Sequence, residues 1–307
     1  MPVTYPPAPP TISGDTISIS RFLSSPTQIA RRLRDYRDLR FVSDQVLTGR
    51  YRTSGGAVAY TLSEPFVTDR SVESVAPGSE YPLANAPFGT AGLAAAQKWG
   101  QRIPLTDEAI EREVYGQALV DRTLKKLVNS IIAQVDSITM SAIASAVTQT
   151  KAAAASWITG TPNILRDILL ARQVILNLKL GYAPDSLLVN DTGYAYLMSD
   201  DKVTNALKRE DSTNPIYTGQ IERIGGLVLL TSPYAPANPM IFDSNQLGGM
   251  ADESDGAPGY ALSDLAVGVK SIRDDRADKY DLQGRRKTVP VISEPGSAVS
   301  ITSSGIT

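Results

Sequence analysis

Cysteine and histidine are both absent from the 307 residues of this chain. Without cysteine there can be neither disulfides nor thiolate metal sites. Without histidine the chain lacks the commonest general base, the commonest metal ligand and every triad built on imidazole. An enzyme would have to work through carboxylates, a Ser–Lys pair or tyrosine. No stretch approaches eighteen consecutive apolar residues, so no transmembrane span is expected. The opening MPVTYPPAPP lacks the basic and apolar regions of a signal peptide, which points to a protein made and kept in a cytoplasm. Charged residues are 20% and the formal net charge is −2, so bulk charge indicates neither a nucleic-acid binder nor a membrane-surface protein.

Chemical motifs are scarce as well. There is no P-loop, dinucleotide fingerprint or metalloprotease helix. Gly225 and Gly248 each open a glycine pair better explained by turns than by phosphate cradles. Asp252, Glu253 and Asp255 lack the ligand spacing of a calcium loop and read as an acidic loop up to Gly259. Asp274 and Asp275, adjacent on a strand, would face opposite ways. The sequence therefore nominates no catalytic, cofactor-binding or metal-ligating residue.

What is present is one long stretch without proline, Thr106 to Val147. Thr106 can cap a helix, and Asp107, Glu108 and Glu111 suit the positive end of its dipole. Leu124, Leu127, Val128, Ile131, Ile132, Val135 and Ile138 recur at spacings of three and four, one buried stripe. About forty helical residues would span roughly 60 Å, enough to carry two domains on one strut. Gly116 inside it costs about 1 kcal/mol against alanine and marks either tight packing, ranked first, or a bend.

The flanking segments differ in kind. Met1 to Ser24 is rich in proline, serine and threonine and reads as an extended arm. A short helix follows, with Ser25 as cap, Pro26 first and Gln28 completing a capping box. Its polar face carries Arg31, Arg32, Arg34, Arg37 and Arg40, and Arg21 to Arg52 holds eight arginines against three aspartates. This is either a solvated face or one that meets nucleic acid or an acidic partner. Tyr51 to Ile103 opens on Gly55-Gly56, alternates like strands at both ends, and has a proline- and glycine-rich middle that can hardly bury its own surface. It reads as a projecting two-stranded β-arm that needs something to lie on, most simply another copy.

After the long stretch, a helix is expected from Thr161-Pro162 to a stop at Gly181. A βαβ-like alternation follows, with strands at Ser186–Val189, Leu227–Leu230 and Met240–Phe242, and Asp191 or Thr192 capping a helix between the first two. The last part returns to strands, from Ala266 to Ile272 and within Thr288 to Thr302. Arg285, Arg286 and Lys287 read as a solvated basic cluster.

This order of parts, in an α+β chain, resembles the tailed-bacteriophage major capsid proteins, whose fold is shared by encapsulin shells and the floor of herpesvirus capsids. The local pieces that carry the resemblance are Lys98 to Glu108 (KWGQRIPLTDE), where a loop strand runs straight into the helix, and the closing segment Thr288 to Ile301. The resemblance implies an N-terminal arm with a short basic helix (1–51), an extended β-hairpin loop (52–103), a spine helix of a peripheral domain (104–159), an axial α/β domain (160–264) and closing peripheral strands (265–307). It implies a non-enzymatic subunit that self-assembles into hexamers and pentamers of an icosahedral shell around double-stranded DNA, interlocked by extended loops and by N-terminal arms that embrace neighbouring copies, and built in the host cytoplasm. The implied partners are other copies, a separate scaffolding protein, a portal and a decoration protein, with no membrane. Some members weld their loops through a lysine, but Tyr51 to Gln97 contains none, so interlocking is expected to be non-covalent. Arg31, Arg32, Arg34, Arg37 and Arg40 would face DNA or scaffold, and Gly55, Gly56 and Gly116 are hinge candidates. The rivals are an encapsulin-type compartment, another phage virion component, and a carboxylate-based enzyme.

Overall fold

In the computed structural model the described residues are 23, 25–34, 41–53, 55–112, 116–159, 162–206, 223–253, 257–262 and 266–306. In chain order the elements begin with α1 (Pro26–Arg34), α2 (Ser43–Val46), β1 (Gly49–Thr53), β2 (Ala57–Leu62), β3 (Thr90–Ala95) and β4 (Gln97–Thr106). Next come α3 (Asp107–Arg112), α4 (Gly116–Ala146), β5 (Thr150–Ala152), α5 (Ile164–Asn177), β6 (Ser186–Val189), α6 (Asp191–Ser199) and α7 (Asp201–Ala206). The remainder is β7 (Arg223–Ile224), β8 (Leu227–Thr231), β9 (Met240–Phe242), β10 (Gly248–Glu253), β11 (Ala261–Leu262), β12 (Gly268–Asp274), β13 (Lys279–Ile292) and β14 (Ala298–Thr302). Contacts divide the chain into one unit of Met1–Leu39, Trp99–Ile131 and Asp255–Arg286, and another of Arg40–Lys98, Ile132–Ser254 and Lys287–Thr307.

In the first unit β12 pairs antiparallel with β13, from Gly268↔Arg285 to Asp274↔Lys279, and β11 pairs with β12. β4 lies on the other side of β13. A side chain at Gly100 would meet the Gly284 carbonyl at 2.7 Å, and one at Gly284 would meet Leu127 and Ile131 of α4. Gly100 thus lets β4 approach β13 closely, which accounts for the glycine inside the KWGQRIP motif, and Gly284 makes room for the side chains of α4. Thr106 accepts from the Ala109 N–H at 3.3 Å, the expected cap. Arg273 grips Asp107 with two bonds of 2.6 and 2.7 Å and stacks over Tyr280. Those bonds first, and the positive charge after them, lower the Asp107 pKa.

In the second unit a six-stranded mixed sheet runs β5-β14-β9-β6-β8-β7. β6 and β8 are parallel, as the βαβ reading requires, and β6 is buried at all four positions. α5 packs its Ile164, Ile168, Ala171 and Ile175 face into a core with Leu187, Ile241, Val299 and Ile301. Each such fully buried isoleucine, leucine or valine contributes about 1.5–3 kcal/mol. The same unit contains β1 parallel to β10 and β10 antiparallel to the end of β13.

α4 carries the predicted stripe: Leu124, Leu127, Val128, Ile131 and Val135 are buried, and it continues through Met140 and Ile143. Leu119–Ala146 is long and apolar enough to cross a membrane by length and composition alone, but the core helix of a soluble protein meets the same test. Several local expectations are corrected. α5 starts at Ile164, whose N–H is taken by Asp200; the left-handed residue directly after its C-cap Leu178 is Lys179 (φ 56), and Gly181, left-handed as well (φ 83), lies two residues further on. The α6 cap is Asn190, which accepts from the Gly193 N–H at 2.7 Å. The Ser25 hydroxyl lies 3.3 Å from that of Thr27, and Gln28 Oε1 is buried without a partner, so no capping box closes. Gly248 and Asp252 belong to a strand rather than a turn and an acidic loop, because only glycines allow β1 and β10 to approach as they do at Gly49 and Gly249. Gly225 and Gly226 do form the expected turn, at φ 56 and 83.

Candidate assembly surfaces

The hairpin of β2 and β3 pairs from Ala57↔Ala95 to Leu62↔Thr90. Gly55 and Gly56 precede it at φ 89 and 81, with open space where a side chain would stand. These angles are strained for any residue with a Cβ. Between the strands, 63–89 forms no helix or strand. Yet Val72, Tyr81, Leu83 and Phe88 are between 83% and 100% exposed. Large apolar side chains gathered so openly in one segment mark a surface that expects a partner.

The segment is nonetheless pinned at two places. Asp69 and Asn85 close its outer part: Asn85 donates its backbone N–H (2.8 Å) and side-chain amide (3.1 Å) to the Asp69 carboxylate, and Asp69 donates its N–H to the Asn85 carbonyl (3.2 Å). At its root, Ser63 donates to the Ser293 carbonyl and Glu64 N–H to Glu294 Oε1, each at 2.9 Å. The other oxygen of Glu294 accepts from the Tyr182 hydroxyl at 3.1 Å, and Phe66 meets the Tyr182 ring edge-on at 5.9 Å. Burial, then the Glu294 charge, pushes the Tyr182 pKa up to about 12.

A third tie involves α4 alone of the long elements. Asp136, 2% exposed within the apolar stripe, accepts from the backbone N–H groups of Val42 and Ser43 at 3.1 Å each. It holds the start of α2, directly after the arginine-rich stretch. Burial raises its pKa even against those two donors.

Of the nominated arginines, Arg31 is exposed on α1. The side chains of Arg32 and Arg34, and all of Arg37 and Arg40, lie outside the described residues. Gly116 is the first residue of α4, directly after residues 113–115, which also lie outside them. The basic cluster near the C-terminus is corrected. Arg286 is 1% exposed, because alternate residues of β13 turn inward, while Arg285 lies 3.7 Å over the Tyr260 ring and Lys287 pairs with Glu253 at 3.5 Å.

Sequence reasoning missed Glu294, Asp136 and the Asp69–Asn85 clasp. An aspartate in the middle of an apolar heptad-like stripe was a usable signal for Asp136. The other two depend on pairings across 230 and 16 residues and left no local trace.

The same fold occurs in solved structures of low sequence identity. A phage-related protein from Bordetella bronchiseptica superposes with a TM-score of 0.63 at 10% identity, over 91% of this chain and 97% of the other. The capsid structure of cyanophage P-SCSP1u gives 0.59 at 12%, over 84% and 86%. A virus-like particle from Pyrococcus furiosus gives 0.58 at 13%, over 89% and 98%. Among curated proteins no sequence matches the chain. A family model described as phage capsid protein matches residues 90–301, more than half of the chain. The chain therefore belongs to the phage capsid protein family and is a structural subunit of a capsid.

Proposed function

We propose that this subunit assembles into hexamers and pentamers of an icosahedral shell that encloses double-stranded DNA, with each extended loop lying non-covalently on an adjacent copy. The observation that carries the reading is the 63–89 segment, which exposes large apolar side chains yet is held in one place at its root and its clasp. A closed shell repeats one modest contact many times, so a loop without its own core suffices. In this reading residues 160–264 act as the axial domain, 104–159 and 265–307 as the peripheral one, and the chain has no catalytic role. Arg31, Arg32, Arg34, Arg37 and Arg40 face DNA or a separate scaffolding protein through contacts without sequence preference. Portal and decoration proteins complete the particle, which assembles in the host cytoplasm.

The test is to replace Glu64–Phe88 by a short glycine-serine linker and follow assembly by sedimentation and electron microscopy. The expected result is a folded chain that no longer forms shells. Shells of normal size and yield from that variant would refute the loop's role. A compartment holding protein cargo is the second reading, favoured by the likeness to the Pyrococcus furiosus particle. Nucleic acid recovered from purified particles supports the first reading, and cargo protein without it the second.

A further inference from the structure

β1 stands at the edge of its sheet. Its five residues pair with β10, from Gly49↔Gly249 to Thr53↔Glu253, and no strand lies on its other side among the described residues. A strand turns the N–H and C=O of alternate residues to either side, so the open side of β1 presents unpaired backbone groups. Arg50, Tyr51 and Arg52 are all exposed. A groove of about 410 Å³ begins at the same strand, where Tyr51 lines it together with Thr61, Phe66 and Gln246. Its Phe66 wall is steadied by the edge-on contact with Tyr182 and by the bond from Glu64 N–H to Glu294.

Strand alternation sets Tyr51 on one face of β1 and Arg50 with Arg52 on the other. Arg50 is tied to Asp44 at 2.8 Å. Arg52 stands in register with Asp252 of β10, yet it forms no ion pair among the described residues. An added strand would therefore meet an available cation on one face and an aromatic-lined groove on the other. The matching sequence alternates acidic with large apolar residues. A second copy of β1 does not fit, because two such edges laid together would set arginines on adjoining strands. Nor does the chain hold the matching pattern elsewhere. Acidic residues two apart occur only at Glu111 and Glu113, around Arg112, and at Glu253 and Asp255, around Ser254. We propose that the open edge of β1, with the groove beside Tyr51 and Phe66, takes up as an added strand an extended segment of a different protein in which acidic and large apolar residues alternate. Backbone bonds to β1 supply the affinity, and Arg52 and the groove select the side chains.

The test uses the full chain before assembly and the labelled peptide DLDFDLD, followed by fluorescence anisotropy. Saturable binding is expected, weakened about threefold or more by Arg52→Glu and by Tyr51→Ala. Both side chains are exposed, so the fold is not at stake. KLKFKLK should not bind. Two further versions of DLDFDLD carry N-methyl groups on alternate amides, one on the odd positions and one on the even. One of them should lose about tenfold or more in affinity while the other binds like the parent, because only one set of amides faces β1. In hydrogen exchange, at least one amide among Arg50, Tyr51 and Arg52 should be fast in the free chain and slow in the complex. No binding, equal binding by KLKFKLK or by both methylated peptides, no effect of the two substitutions, or three amides already slow in the free chain would each overturn the inference. The titration needs no particles, so its failure leaves the shell reading standing, and a failure to form shells leaves the titration intact.

Discussion

Removing the Glu294 carboxylate is expected to loosen the loop where it meets its own subunit. Glu294 is 9% exposed and each of its oxygens holds one donor, the Glu64 N–H at 2.9 Å and the Tyr182 hydroxyl at 3.1 Å. A hydrogen bond to a charged group contributes about 1.5–3 kcal/mol, and the 6%-exposed Tyr182 would keep a hydroxyl with no acceptor. Glu294→Ala should therefore destabilise the unit by about 3 kcal/mol or more, a drop of about 1 M in the urea midpoint for a slope near 3 kcal/mol/M. Glu294→Gln keeps an acceptor for the Glu64 N–H and should cost about 1 kcal/mol. Tyr182→Phe should cost a similar amount, and the two substitutions should be strongly non-additive, since they break one bond. The Tyr182 pKa, up at about 12, should fall in Glu294→Gln, because the carboxylate is one of its causes. Amide exchange at Ser63 and Glu64 should accelerate in Glu294→Ala while β6 stays protected. A Glu294→Ala protein within 0.5 kcal/mol of the parent, with unchanged exchange at those amides, would refute the reasoning.

Other expectations follow from the same contacts. Gly249→Val places a Cβ on the backbone of Gly49, 2.6 Å from its Cα, and should cost about 1–3 kcal/mol while exposing β1 amides to exchange; an unchanged exchange pattern would contradict the close approach. The raised pKa of Asp136 means the folded state takes up a proton above the ordinary value of 3.8, so its contribution to stability falls as pH rises through that window. Asp136→Asn should remove that slope from a plot of urea midpoint against pH, and identical slopes would sink the assignment. Gly55→Ala with Gly56→Ala should cost about 1–2 kcal/mol per residue at these positive φ values. If the pair also acts as the hinge, electron microscopy should show particles trapped at a smaller size, and normal-sized particles would exclude that role.

How far the sequence carried the fold follows from where its signals are local. The Met240–Phe242 and Ser186–Val189 strands, the α4 stripe and the Thr106 cap are set by neighbours within a few residues, and each is found as expected. Helix ends were less legible. Lys179 takes the left-handed position directly after the C-cap of α5, two residues before the left-handed Gly181, and the amide of Ile164 is satisfied from Asp200, thirty-six residues away. Charge was misleading where strand alternation buries every second residue, as at Arg286. The loop's lack of a core was readable from its prolines and glycines, whereas the carboxylate that roots it was not. Glu294 sits in an unremarkable Ser-Glu-Pro-Gly turn, and only the fold brings it to Glu64.

Assembly into a closed shell can be seen by electron microscopy of the purified chain, expressed alone and then with scaffold and portal genes. Uniform closed shells, or rings of five and six subunits, are the predicted result. A chain that remains monomeric at high concentration under both conditions would contradict the account.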